Sequence, residues 1–294
     1  MLDRDLPTLG VVIPVHNMAG RLQNLEKGVV EAAEHSLPIK FTIVQDGLDR
    51  DTHHELSILA NKFKTESLQV NFSSPGLTRN RGIERNSSDW IAFWDSDDVG
   101  HPIECYNAIL EARHSAKVLV GRYHIVDENS IVKKSPLTKN LRATMLNPGI
   151  WRFLFKREII GDVRFPNYAM GEDQIFLARL NLQEDDIEYF DSCFYSYFTG
   201  IKSQATLDYA RVQEIKKSID EIEKLIKSST LVANYVYVLR ARMILTALKN
   251  HVIPPKSFRL LFFATTHNSA RRRESLGSFL WVLAQILKRY ISIK

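Results

Sequence analysis

Cysteine is scarce in this 294-residue sequence: there are two, Cys105 and Cys193, far apart and without a partner at metal-ligand spacing. That excludes a disulfide framework and a cysteine-built zinc site, and it fits a reducing, cytoplasmic setting. No apolar run reaches the roughly 20 residues needed to cross a bilayer. The opening Met1-Leu2-Asp3-Arg4-Asp5 has mixed charge and lacks the order of a secretory signal. A glycine-rich loop bearing Lys or Arg, which a nucleotidyltransferase would need near its N-terminus for a triphosphate, is also missing; His16-Asn17-Met18-Ala19-Gly20 stands in its place. Disorder is not the default either, because 45% of residues are hydrophobic and 25% charged, enough to bury a full core. The length suits one large α/β domain with appendages.

What is present centres on Trp90-Ile91-Ala92-Phe93-Trp94-Asp95-Ser96-Asp97-Asp98, an apolar strand that runs into three carboxylates within four positions. Such carboxylates repel one another, and a divalent cation, Mg²⁺ or Mn²⁺, relieves that repulsion. Because these ions are held by one or two carboxylates plus substrate phosphates, the pattern points to a metal-bridged diphosphate ligand; an acidic surface turn is the plain alternative.

Upstream, Leu9 to Val15 reads as a strand covered on both faces, a helical pattern follows through Leu22, Leu25, Val29 and Ala33, and Phe41-Thr42-Ile43-Val44 gives a second buried strand closed by Gln45-Asp46-Gly47. A helix around Glu55 to Phe63 and a strand from Leu68 to Phe72 lead to Ser73 through Gly82, a loop passing into a helix with Arg79 and Arg81, suited to phosphate. In open sheets of this kind ligands sit beyond the carboxyl ends of the strands, where His16, Asn17, Asp46 and Asp95 to Asp98 converge.

Taken in order, Val-Ile-Pro-Val-His-Asn, Val-Gln-Asp-Gly, Gly-Leu-Thr-Arg-Asn-Arg-Gly-Ile and Ala-Phe-Trp-Asp-Ser-Asp-Asp resemble an inverting family-2 glycosyltransferase of GT-A fold. Gln45 and Leu48 depart from the usual Asp-Asp-Gly-Ser at the second strand. The resemblance implies an α/β fold with an open, mostly parallel sheet flanked by helices and a helical C-terminal extension. It also implies a nucleotide pocket lined by Pro14, His16 and Asn17, with Asp46 accepting from a uracil-type N3–H and Arg79, Asn80, Asp95 and Ser96 on the nucleotide. Asp97 would hold the divalent metal, with Asp98 either supporting it from behind or capping the next helix.

Further on, Lys117 to Val126 and Ile131 to Lys134 flank the turn residues Asp127 to Ser130, which predicts a hairpin. Trp151 and Tyr197 are candidates for contact with donor or acceptor sugar, and Trp151 reads equally as core. Gly171-Glu172-Asp173 opens a helix, where acids favour the macrodipole; by resemblance, Asp173 is the general base and Glu172 lies beside the sugars. The Gln-x-x-Arg-Trp motif of processive members has no match, so single-sugar addition is expected. Residues 1–204 are read as the catalytic domain, nucleotide half about 1–100 and acceptor half about 101–204, and residues 205–294 as a helical region.

That tail alternates apolar residues such as Phe258, Phe279, Leu280, Trp281 and Val282 with much of the chain's basic excess; the net charge is +5. It suits a helix in an anionic headgroup layer, which would bring the protein to the inner face of the membrane, or a cap packed on its own domain or on a second subunit in a homodimer. Expected partners are a nucleotide-sugar, UDP-linked, and a sugar or lipid-linked acceptor in polysaccharide, glycolipid or glycoconjugate synthesis, with no nucleic acid. The rival readings are a nucleotide-binding relative without catalysis and a basic lipid- or nucleic-acid-binding protein; the last leaves Asp46, Asp95, Asp97 and Asp173 without a task.

Overall fold

A computed structural model of the chain describes residues 6–47, 49–199, 213–228, 233–253 and 269–291. Two compact units emerge: Met1–Thr138, Gly149–Asn167 and Glu184–Lys202 form one, and Lys139–Pro148, Tyr168–Gln183 and Ser203–Lys294 the other.

The first unit is built on repeated β-α-β steps. Strand β1 (Leu9–Val15) leads through α1 (Gln23–Glu34) to β2 (Ile39–Asp46), then α2 (Arg50–Phe63), β3 (Glu66–Val70), α3 (Pro75–Arg85) and β4 (Trp90–Phe93). Continuous apolar stretches make β1 and β4 buried on both faces, as a sheet covered by helices requires. Helix α2 starts at Asp49, whose side chain accepts from the Asp51 amide, and α3 starts at Ser74 with Pro75 in its first turn. The Gly82 side of α3 lies directly on β1, where an added Cβ would stand 2.2 Å from Val12 Cγ1.

After β4 come β5 (Val99–Gly100), α4 (Pro102–Glu111), β6 (Val118–Val126), β7 (Val132–Lys134), β8 (Phe153–Lys156) and β9 (Ile187–Phe198). The sheet runs β3-β2-β1-β4-β8-β6-β9-β5, with β7 paired to β6. It is parallel from β3 to β4 and mixed beyond, where β8 is antiparallel to both its neighbours and β6 pairs parallel with β9. The expected hairpin is β6–β7.

Two local expectations are corrected. The third strand lies at Glu66–Val70 and not at 68–72, because the amides of Phe72, Ser73 and Ser74 turn away from the ladder to the Asp46 carboxylate. Asp98 does not cap α4, which begins at His101 with no side-chain cap bond; its carboxylate is engaged by Tyr195 and Phe198.

The second unit is helical: α5 (Glu172–Leu180), α6 (Ile215–Ser228), α7 (Asn234–Lys249) and α8 (Ser269–Ile291). On α6 the helical spacing of Ile215, Ile219, Ile222 and Ile226 makes one fully buried stripe. The Tyr235 hydroxyl of α7 donates to the Leu177 carbonyl at 2.6 Å and accepts from the Leu182 amide at 3.0 Å, fixing the end of α5. Arg240 forms a buried ion pair with Glu223 and donates to Ser275 Oγ at 2.8 Å. In α8, Phe279 and Val282 are buried, Trp281 lies under the Arg142 guanidinium at 4.4 Å, and Leu276 and Leu280 are exposed. Of the two readings of this run, a helix in a headgroup layer or a packed cap, the burial of Phe279 and Val282 fits the packed cap at those two positions. Phe258 and its basic neighbours lie outside the described residues, as does Leu48. Among the described residues no helix is long and apolar enough to cross a membrane.

Candidate active site

In the first unit the parallel strands β1, β2 and β4 end at one edge of the sheet, and the loops that follow carry the polar residues. Pro14 is half-buried near the end of β1, opposite Val44, and His16 and Asn17 follow, both exposed. His16 Nδ1 hydrogen-bonds the Asp46 carbonyl and Asn17 Nδ2 lies 3.2 Å from His16 Nε2. A carbonyl only accepts, so the ring proton sits on Nδ1 and the imidazole is held over the end of β2.

Asp46 works as an anchor. Its Oδ1 accepts from the amides of Phe72 (2.6 Å) and Ser73 (2.9 Å), and Oδ2 accepts from the Ser74 amide and the Thr78 hydroxyl, both at 2.9 Å. Burial pushes its carboxyl up, but the three amides and the hydroxyl outweigh burial and hold it below the usual aspartate value. A carboxylate offers about four acceptor sites, and all are taken. The carboxylate expected to accept from a nucleotide base thus also sets the turn that starts α3. Asn80, also expected on the nucleotide, is buried; its side-chain amide donates to the Phe165 carbonyl and accepts from the Phe165 amide, both at 2.9 Å.

Arg79 is buried, its guanidinium 5.6 Å from the Phe165 ring centroid, and Nη2 donates to Asp95 Oδ1 at 2.8 Å. Helix α3 and the loop after β4 thus meet through a charge-assisted bond. Within that loop Ser96 is buried, and the Asp97 carbonyl accepts from Asn24 of α1 at 2.8 Å. Burial, then the Asp95 charge, push the Asp97 carboxyl above its usual value, while Arg21 pulls the other way. Asp98 is pushed up to about 8 by burial and by the Asp95 and Asp97 charges, against hydrogen bonds from Phe198 and Tyr195.

These residues fit a divalent cation. Asp97 is a half-buried carboxylate ionised at a cost that a cation would remove, with Asp95 beside it. Among the described residues no group of three or more His, Cys, Asp or Glu side chains is arranged as a protein-only cage. With one or two carboxylates as ligands, an ion of this kind would take the rest of its shell from ligand oxygens.

Two residues of this site escaped the sequence reading. Arg21, exposed, donates to the Asn17 carbonyl and is the cation that acts on Asp97. Tyr195, fully buried on β9, accepts from the Asp95 amide and donates to Asp98 Oδ2, both at 3.0 Å. No local pattern marks Arg21, and Tyr195 is one aromatic among several in Tyr195-Ser196-Tyr197-Phe198. Trp151 stacks nearly parallel to Tyr195 at 4.7 Å and to Tyr197 at 5.6 Å, and meets Tyr123 edge-on at 4.7 Å. It is half-buried and packs against the hydrophobic core. Tyr197 is half-buried beside it, its hydroxyl pushed up to about 12 by burial and then by Asp98, Asp95 and Asp97.

In the second unit, Glu172 and Asp173 open α5 behind Gly171, whose φ of 83° is left-handed. A Cβ there would also stand 2.9 Å from Ser218 Oγ. Glu172 is buried, Asp173 is half-buried, and Asp173 Oδ1 accepts from the Gln174 amide at 2.7 Å. Both acids lie in the first turn, where the helix dipole favours negative charge.

Comparison with known proteins accords with this layout. Poly(ribitol-phosphate) beta-N-acetylglucosaminyltransferase TarP of Staphylococcus aureus (strain N315) is 22% identical over 238 residues, 72% of this chain and 72% of TarP. An uncharacterized glycosyltransferase of Haemophilus influenzae is 26% identical over 198 residues, covering 63% of this chain and 76% of that protein. S. aureus TarS 1-349 in complex with UDP-GlcNAc superposes with a TM-score of 0.67 at 16% identity, covering 92% of this chain and 79% of that one. The mannosyltransferase PcManGT of Pyrobaculum calidifontis, in complex with GDP-Man and Mn²⁺, gives 0.57 at 12% identity, covering 98% of this chain and 88% of that one. These likenesses show the GT-A fold. The family model for glycosyl transferase family 2 matches residues 10–179, more than half of the sequence, and this chain belongs to that family.

Proposed function

We propose that the protein is an inverting, metal-dependent glycosyltransferase that moves a single sugar from a UDP-linked donor to an acceptor hydroxyl in polysaccharide, glycolipid or glycoconjugate synthesis. The observation that carries this reading is the gathering of His16, Arg79, Asp95 and Asp97 at the carboxyl edge of three parallel strands, where open α/β sheets bind their ligands. Pro14, His16 and Asn17 line the base and ribose side, and Asp95 and Ser96 take the ribose. Arg79 supports the diphosphate, and Asp97 holds a divalent cation. That cation, when bound, offsets negative charge growing on the departing diphosphate. Asp173 takes the proton from the acceptor hydroxyl as its oxygen attacks the anomeric carbon from the face opposite the nucleotide, in one displacement. Glu172 and Tyr197 border the sugars. TarS in complex with UDP-GlcNAc and TarP's N-acetylglucosaminyl activity support a nucleotide-sugar donor of this class.

In the same reading residues 1–204 carry the chemistry and residues 205–294 form a helical extension, whose exposed Leu276 and Leu280 face a membrane surface or a second copy. The test is release of nucleotide across a panel of nucleotide-sugars, with Asp173→Asn followed in parallel. Metal-dependent UDP binding in calorimetry should survive in Asp173→Asn while transfer is lost; unimpaired transfer removes Asp173 as base. A wild-type protein that binds no nucleotide-sugar ends the reading.

A further inference from the structure

The loop that carries Asp95 and Asp97 is tied to strand β9 by one phenol. Tyr195 is fully buried, and its hydroxyl stands between the amide of Asp95, from which it accepts at 3.0 Å, and Oδ2 of Asp98, to which it donates at 3.0 Å. The other oxygen of Asp98 accepts from the amide of Phe198 at 2.7 Å, so the same carboxylate grips β9 a second time, three residues further along. Directly after the loop, Val99 and Gly100 pair with Ser196 and Tyr195, and the His101 amide donates to the Phe194 carbonyl. On its other flank the Trp94 amide donates to the Val12 carbonyl of β1, and Asn24 holds the Asp97 carbonyl. The backbone from Trp94 to His101 is thus fixed at both ends and in the middle. The carboxylates of Asp95 and Asp97 are not used in this anchoring, and Asp95 faces Arg79.

We infer that Tyr195 is a positioning residue of the transfer site: its hydroxyl sets the backbone of the acidic loop so that Asp95 and Asp97 present their carboxylates to a cation and diphosphate. The inference rests on the nucleotide-sugar reading above. A hydroxyl that bonds both ends of one loop restrains that loop, and a misplacement of about 1 Å at a site of this kind is enough to lower activity strongly. The ring of Tyr195 has a separate task, stacking on Trp151 at 4.7 Å, so removal of the oxygen alone separates the two.

The experiment compares wild type with Tyr195→Phe, using Mn²⁺ and UDP as probes. Half-saturating Mn²⁺ for UDP binding in calorimetry should rise about tenfold, the equivalent of roughly 1.4 kcal/mol, and donor KM should rise while acceptor KM stays near its wild-type value. Ser135→Ala is the control: it removes a buried hydrogen bond to the Tyr123 amide in the same sheet and lowers melting temperature without moving the Mn²⁺ requirement. Should Tyr195→Phe fail to fold, Asp98→Leu removes the partner of the Tyr195 hydroxyl whatever its protonation, keeps every ring in place, and should shift the Mn²⁺ requirement in the same direction. A Mn²⁺ requirement unchanged in the folded variant, or raised equally in Ser135→Ala, overturns the assignment. A wild-type protein that binds neither Mn²⁺ nor UDP overturns the underlying reading, and this inference falls with it.

Discussion

Arg79 Nη2 and Asp95 Oδ1 are 2.8 Å apart, with the arginine side chain 7% exposed and the aspartate 33% exposed. The pair joins a helix to a strand-end loop, and the planar guanidinium can serve Asp95 and a phosphate oxygen together, which an ammonium cannot do with the same geometry. Arg79→Lys is expected to weaken UDP binding by about 1.5–3 kcal/mol, the range for a charge-assisted hydrogen bond. Isothermal calorimetry measures it directly; affinity within a factor of two of wild type would show that Arg79 serves the fold alone.

Asp46→Asn should destabilise the first unit by about 2 kcal/mol, because an amide nitrogen then faces the donors that now meet Oδ2. The pH dependence follows from the depressed carboxyl. The unfolded chain regains the ordinary aspartate value of 3.8, so below it the unfolded state binds the proton more readily. The stabilisation is full above that value and is lost as pH falls through the lower, folded one. Denaturant titrations at pH 3 to 7 should therefore show a gap between wild type and variant that narrows at the acid end.

Asp97 titrates in the opposite sense. Burial and the Asp95 charge raise its carboxyl, so protons compete with a cation up to a higher pH than at an ordinary aspartate. The rise in melting temperature on adding Mn²⁺ with UDP should grow from pH 5 to pH 8 in wild type. Asp97→Asn should abolish it throughout, as differential scanning fluorimetry would record.

Glu223 and Arg240 make a buried pair in the helical unit, 7% and 2% exposed. Removing one partner strands the other charge: Arg240→Met is expected to cost about 3–5 kcal/mol, while Glu223→Leu combined with Arg240→Met recovers most of it. Chemical denaturation of the single and double variants gives the comparison.

Much of this molecule was legible before any coordinates. Continuous apolar strands with helical spacing between them gave the β-α-β steps, and the isoleucines of α6 fell on one buried stripe, because burial on a helix or a covered strand leaves a periodic trace. The run from Trp90 to Asp98 marked the acidic loop. Roles that depend on side-chain bonds across long stretches of chain were not legible. Asp46 reaches amides 26 to 28 residues away, Asn80 brackets Phe165 85 residues on, and Tyr195 meets Asp95 across 100 residues. Nothing in a local window distinguishes an aspartate that will read a base from one that will hold a turn. The residue types are the same, and only the tertiary placement of donors separates them.

The commitment of Asp46 to three consecutive amides has a mechanical corollary. The turn that opens α3 is held from the end of β2, and His16, which reaches the Asp46 carbonyl from the neighbouring loop, adds a second tie at the same strand end. A shift of either loop would therefore be felt at the start of α3, the helix that carries Arg79.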